Sequence, residues 1–195
     1  AGIVLAGGRG SRMGVPKADL LFNGEPLLAR VVDALGIVAS SVHVVLGAHQ
    51  ELSVDLPASV TIVHDPTIDE GPVAGLAAGL SACGEALAIV VGCDMPFLDA
   101  GLFRWLVAQA NGVDVVVPVV DGRPQYLHSV FRTTTQRAIE AAFARGVRSL
   151  AGMVQDLQTR YVSPPEASVR SFTNVNTIDD LRRAESLIEA QPRVD

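Results

Sequence analysis

The chain opens on Ala1-Gly-Ile-Val-Leu-Ala-Gly-Gly-Arg-Gly-Ser-Arg-Met-Gly-Val-Pro-Lys17. An apolar run, Ile3 to Ala6, empties directly into Gly7, Gly8, Gly10 and Gly14, with Arg9, Arg12 and Lys17 among them. A buried strand followed at once by a glycine-rich, cationic loop constrains the fold more than any other stretch. It is how α/β proteins hold oxyanions at the carboxyl end of a strand. Glycine lets the backbone come close and take φ > 0, and the freed N–H groups point at phosphate oxygens. Two common phosphate loops fail here. No G-x-x-x-x-G-K-[ST] run occurs. A G-x-G-x-x-G reading from Gly8 and Gly10 meets Met13 at its third position, and Ala29-Arg-Val-Val stands where a ribose-binding acid belongs. Two arginines and a lysine instead suit a triphosphate that loses pyrophosphate.

Leu5-Ala-Gly-Gly-x-x-x-Arg12-Met-Gly14-x-x-Lys17 resembles the signature of nucleotidyltransferases that make nucleoside-diphosphate conjugates. It is most similar to the molybdenum cofactor guanylyltransferase family, which joins GMP to molybdopterin. The resemblance implies GTP and molybdopterin as substrates, Mg²⁺ as cofactor, and transient contact with other cofactor-biosynthesis proteins.

The rest of the chain is consistent with one such unit. Apolar strands at Val42–Leu46, Val60–Val63, Leu87–Val91 and Val113–Pro118 alternate with helical patterns, as at Leu27–Gly36. This predicts a single-domain, Rossmann-like three-layer α/β/α sandwich with a mostly parallel sheet, over residues 1–190, and a polar tail at 191–195. The resemblance makes it the nucleotide-diphospho-sugar transferase type. The last part of the segment Arg123–Phe131 alternates and is read as antiparallel, and Ser149–Leu157 as helix. A net charge of −6 disfavours a general nucleic-acid surface. No apolar run reaches membrane-spanning length, and Cys83 and Cys93 lack metal or disulfide spacing, so a cytoplasmic setting with reduced thiols is expected.

Ligands of such sheets bind at strand ends, which singles out Gly7, Gly47, Asp65 and Asp94. Asp94 follows the continuous apolar strand Leu87–Val91, where an unpaired carboxylate is costly and Mg²⁺ would offset the cost. Its other reading is a cap or an ion pair with a loop cation. Asp65 reads as a turn cap before Pro66, or, by resemblance, as a nucleotide contact. Gly71-Pro72-Val-Ala-Gly75 starts a helix whose small residues either pack against the sheet or let a base approach. Arg123, Gln125, Tyr126 and His128 are expected near the mouth that receives the second substrate, though each also fits hairpin surface chemistry. Asp99 and Thr177 read as helix caps, the latter with Asp180. Asn174 and Asn176 share one side of an extended segment. The resemblance places both beside the nucleotide and acceptor, and makes Asn176 a metal ligand with Asp94.

No Ser or Cys sits in a triad-like setting, which fits direct phosphoryl-type transfer by positioning and charge neutralisation. Arg12, Lys17 and Asp94 are the expected catalytic residues. Leu5, Ala6, Gly7, Gly8, Gly10, Gly47, Asp65 and Gly75 are expected around the nucleotide. Leu5-Ala6-Gly7-Gly8 resembles guanylyl- rather than cytidylyl-transferring members. A CTP-using or different-acceptor relative, and a non-catalytic nucleotide binder, are the rival readings.

Overall fold

A computed structural model describes residues 1–7, 17–68 and 70–189. Its elements in chain order are β1 (Gly2–Leu5), β2 (Leu21–Phe22), β3 (Glu25–Pro26), α1 (Leu27–Gly36), β4 (Val42–Leu46), β5 (Val60–His64), α2 (Pro72–Ala82), β6 (Leu87–Gly92) and α3 (Ala100–Ala108). There follow β7 (Val115–Val120), β8 (Arg123–Pro124), β9 (His128–Arg132), α4 (Gln136–Ala144), α5 (Leu150–Met153), β10 (Thr159–Val162) and α6 (Ile178–Glu189).

The main sheet has the order β10-β7-β9-β6-β1-β4-β5, with β8 paired to the end of β7. β6, β1, β4 and β5 are parallel neighbours, as are β7 and β10. β9 runs antiparallel between β6 and β7. The expected antiparallel segment is therefore present, inserted within the sheet. All six parallel strands end on the same rim, and β9 begins there.

Adjacent strand residues serve opposite layers, as the two-residue period requires. Val4, Val44 and Val91 pack with Leu28, Val31 and Leu35 of α1 and Leu102, Phe103 and Leu106 of α3. Ile3, Val45 and Val90 pack with Val73, Leu76 and Leu80 of α2, Ile139 of α4 and Met153 of α5. A smaller cluster joins Phe22, Leu27 and Val175 to Ala184 of α6. β4 is buried at all five positions because helices cover both faces, so it reads as continuous rather than alternating hydrophobicity.

Local signals explain most boundaries. Asn23 and Gly24 take φ 55° and 82° in the β2–β3 turn, and Asp121 and Gly122 take 49° and 73° in the β7–β8 turn. Asp99 caps α3 by accepting from Gly101 N at 2.7 Å. Thr177 Oγ1 accepts from Asp180 N at 3.1 Å while Asp180 Oδ2 accepts from Thr177 N at 3.0 Å, a reciprocal box that starts α6. Pro26 pairs with Leu21 in β3, and α1 starts at Leu27, as the helical spacing predicts. The helix expected over Ser149–Leu157 is shorter: α5 gives way to a 3₁₀ turn at Val154–Asp156. No helix among the described residues is long and apolar enough to cross a membrane.

α2 lies unusually close to the sheet. A Cβ on Gly79 would stand 2.8 Å from Ile3 Cγ2 and 3.0 Å from Val45 Cγ2. Gly79→Val should therefore lower stability by about 2–3 kcal/mol through overpacking, measured as a lower urea midpoint at unchanged m.

Candidate active site

Three chain segments meet at one ammonium group. Lys17, at the start of the 3₁₀ turn Lys17–Asp19, donates from Nζ to Asp94 Oδ2 at 2.7 Å and to Asn176 Oδ1 at 2.6 Å. The Lys17 and Asp94 side chains are 25% and 14% exposed, so the pair is partly shielded but reachable from solvent. Asp94 stands two residues beyond β6 because Gly92 makes room: a Cβ there would lie 2.7 Å from Asp94 Oδ1 and 3.3 Å from Leu127 Cδ1. Asn176 arrives on an extended segment whose Val175 N donates to Asp94 O at 2.8 Å. Val175 is buried while Asn174 and Asn176 are exposed on either side of it, the alternation that an extended segment requires.

One carboxylate oxygen and one amide oxygen thus already converge on a cation. Hard oxygen donors, open to solvent and to substrate phosphate, are the set Mg²⁺ takes. Asp94 Oδ2 and Asn176 Oδ1, both now on the Lys17 ammonium, are donors that could hold a divalent ion.

The other side of the rim is built from backbone and small residues. Ala6 N donates to Val45 O at 2.8 Å, and Gly7 follows against β4, where a Cβ would meet Gly47 N at 2.9 Å. Leu5 is half-buried against the α2 layer. Gly47 N donates to Gln50 Oε1 at 3.2 Å, and its carbonyl accepts from His64 Nδ1 at 3.2 Å. Asp65 Oδ1 accepts from Thr67 N at 2.8 Å and Thr67 Oγ1 at 2.7 Å, so the turn-forming reading of Asp65 holds for that oxygen. Its Oδ2 faces Gly75, 3.5 Å from where a Cβ would be. Gly8, Gly10 and Arg12 lie outside the described residues.

The head of α2 is fixed by a partner that the sequence did not reveal. Gly71 takes φ 89°, and a Cβ there would meet Arg148 O at 2.8 Å. The Arg148 guanidinium pairs with Glu70 and lies 4.0 Å over the Phe143 ring. Arg148 is thus engaged as a strut rather than left as a solvated helix-end charge.

His128 departs from its expected place near the mouth. It is 1% exposed, between the rings of Phe103 and Phe172 at 5.8 and 4.4 Å, with Nε2 3.2 Å from Ser171 Oγ. Ser171 Oγ also accepts from Asp99 N at 3.2 Å, and Ser168 Oγ donates to Asp99 Oδ2 at 2.9 Å. This buried network ties β9, the start of α3 and the approach to Asn176 together. Arg123 remains exposed, and Gln125 and Tyr126 are half-buried beside it. Nothing in the sequence pattern pointed to Ser171; only its neighbour Phe172 marks the segment as one that packs inward.

Burial pushes the His128 pKa down from 6.5 to about 4. A lowered histidine pKa stabilises the fold above the unfolded value and loses that contribution as pH falls toward the folded one. Stability should therefore drop by on the order of 3 kcal/mol between about pH 6.5 and pH 4, and His128→Gln should flatten that part of the profile, read by urea titration at each pH.

A mostly parallel sheet whose first strand opens into glycine, and whose central strand ends in a carboxylate, is the architecture of a nucleotide-binding α/β protein. Residues 2–160 match the family described as the MobA-like NTP transferase domain, and the chain belongs to that family of nucleotidyltransferases. It is 34% identical over 194 residues to a protein of Natronomonas pharaonis named a probable molybdenum cofactor guanylyltransferase, covering 94% of this chain and 95% of that one. A protein of the same name from Mycobacterium avium is 36% identical over 189 residues, covering 93% of each. Among solved structures, molybdopterin-guanine dinucleotide biosynthesis protein A from Archaeoglobus fulgidus superposes with a TM-score of 0.77 at 23% identity, over 97% of this chain and 99% of that one. The 2-C-methyl-D-erythritol 4-phosphate cytidylyltransferase of Thermus thermophilus gives 0.73 at 21%, over 96% and 98%. Both structural likenesses establish the fold.

Proposed function

We propose that the protein transfers GMP from GTP to the phosphate of molybdopterin, forming the guanine dinucleotide cofactor and releasing pyrophosphate. The observation that carries this reading is the meeting of Lys17, Asp94 and Asn176 at one point on the rim. Membership of the family and the names of the near-full-length relatives support the choice of substrates.

An acceptor phosphate monoester has a second pKa near 6, so it is largely ionised at neutral pH and needs no general base. Its oxygen attacks the α-phosphorus, the bond to the β-phosphate oxygen breaks, and pyrophosphate leaves with that electron pair. Cys93, next to Asp94, offers no competing nucleophile: it is buried, and its thiol is pushed up to about 12 by desolvation and then by the neighbouring Asp94 charge. Lys17 places positive charge at the α-phosphate. Arg12 and the amides of the loop at Gly7, Gly8 and Gly10 receive the departing pyrophosphate. Bound Mg²⁺, held by Asp94 and Asn176, would supply further charge neutralisation of the phosphates.

On the nucleotide side, Leu5, Ala6, Gly7, Gly47, Asp65 and Gly75 stand together at the strand ends, with Gly7 packed against Gly47 and Gly75 against Asp65 and Leu5. Backbone groups there select the base by rejecting one that leaves them unpaired. Asn174, beside Asn176, faces the acceptor. We place the reaction in the cytoplasm, where the free thiols Cys83 and Cys93 stay reduced. Transient contact with the proteins that supply molybdopterin belongs to the same reading.

Pyrophosphate release with molybdopterin should favour GTP over CTP by about 100-fold or more in kcat/KM, as expected where a site hydrogen-bonds one base edge. CTP preference would overturn the base assignment. Asp94→Asn should lower kcat by roughly 10²–10³ while the Mg²⁺ concentration needed for half-maximal rate rises. Lys17→Ala should reduce both GTP affinity and turnover, and an unchanged rate would remove Lys17 from the transfer step.

A further inference from the structure

A cavity of about 540 Å³ lies beside α1, α6 and the segment after Asp94. Glu25, Arg30, Asp33, Pro96, Phe97 and Arg170 supply most of its wall, and Lys17, Asp94 and Asn176 take no part in it. We propose that this cavity is a second oxyanion site, in which Arg170 and Arg30 take a small phosphate or carboxylate compound away from the transfer site.

Both guanidinium groups are held in fixed planes. Arg170 lies 4.0 Å over the Phe97 ring, and Arg30 lies 5.3 Å over the Phe22 ring. The two rings meet edge to face at 5.5 Å and 89°. The result is a ladder, Arg30–Phe22–Phe97–Arg170, that presents two forks with little rotamer freedom left to lose on binding. Arg30 is partly satisfied: its Nε donates to Pro96 O at 2.7 Å, and NH1 is 3.5 Å from Glu25 Oε2. Arg170 is not. Its Nε is buried without a hydrogen-bond partner, and no ion pair among the described residues reaches its guanidinium. The outer nitrogens of Arg170 have no ion-pair partner among the described residues, and an incoming oxyanion supplies one.

The same wall sets the size of the anion. Glu25 and Asp33 face the cavity with the arginines, so a polyanion such as a nucleoside triphosphate is repelled while a mono- or dianion is accepted. Occupancy also bears on the transfer site. Phe97 stands three residues after Asp94 and Arg170 six before Asn176, and Val175 N–H···O=C Asp94 at 2.8 Å joins the two segments. A ligand bridging Arg170 and Arg30 stiffens the two strands of chain that carry the oxygens around Lys17.

The test is direct binding to the full chain, with a non-hydrolysable GTP analogue saturating the first loop. Inorganic phosphate and acetate are titrated separately, by calorimetry and by ³¹P line broadening for phosphate. Phosphate should bind, Arg170→Gln should weaken it about 10-fold, the loss expected for one charge-assisted pair, and Asp33→Asn should tighten it several-fold. Turnover of Arg170→Gln without added phosphate should match the parent. Acetate binding more tightly than phosphate assigns the site to carboxylates. Binding of neither anion, or phosphate affinity unmoved in both variants, overturns the proposal. The binding titrations need no molybdopterin, so their failure leaves the transfer reaction untouched, and the reverse also holds.

Discussion

The site depends on one ammonium group satisfied by two oxygens from distant parts of the chain. Lys17 reaches Asp94, 77 residues on, past β4, β5 and β6, and Asn176, 159 residues on. Both contacts rest on the sheet, because Asp94 is set by the end of β6 and Asn176 by an extended segment bonded to Asp94's own carbonyl. A solvent-reachable ion pair adds little to stability by itself. Its worth lies in where it holds charge: at the rim where every parallel strand ends, with Gly92 making room for the Asp94 carboxylate.

The two halves of the rim are made differently. On the β1–β4–β5 side the wall is backbone and small residues, with Gly7 against Gly47 and Gly75 against Asp65. On the β6–β9–β7 side it is a buried aromatic and polar network, with His128 between two phenylalanines and bonded to Ser171. The first suits a ligand recognised at close range by main-chain groups. The second fixes the approach of the segment carrying Asn174 and Asn176. The reversal of β9 brings about this division, since it puts the beginning of a strand on a rim otherwise made of strand ends.

Much of this was legible in the sequence. Gly7, Gly47 and Asp94 could be placed because apolar runs end there, and strand ends face the ligand in a parallel sheet. Asp99 and Thr177 could be placed because capping is local chemistry. What stayed hidden depends on long-range order. Thr159–Val162 is a half-exposed edge strand with an Arg and a Tyr, and so carries no buried-strand signal. His128 reads as polar in any window, yet it is buried because Phe103 and Phe172, far apart in sequence, close over it. Arg148 looks like a solvated charge until the fold brings Glu70 to it. The extent of α5 was overestimated because an apolar period alone does not distinguish one α-turn from a helix that tightens into 3₁₀.

Gly79 shows how the shape of the rim can be inherited from the core. The methyl groups of Ile3 and Val45 set how far α2 can sink onto the sheet, and that depth fixes the height of Gly75 and of the turn around Asp65 one helical turn away. This part of the rim is then held at a height set from below by aliphatic contacts within the core. Drift in those buried methyls would shift Gly75 and the Asp65 turn while leaving every residue of the rim unchanged.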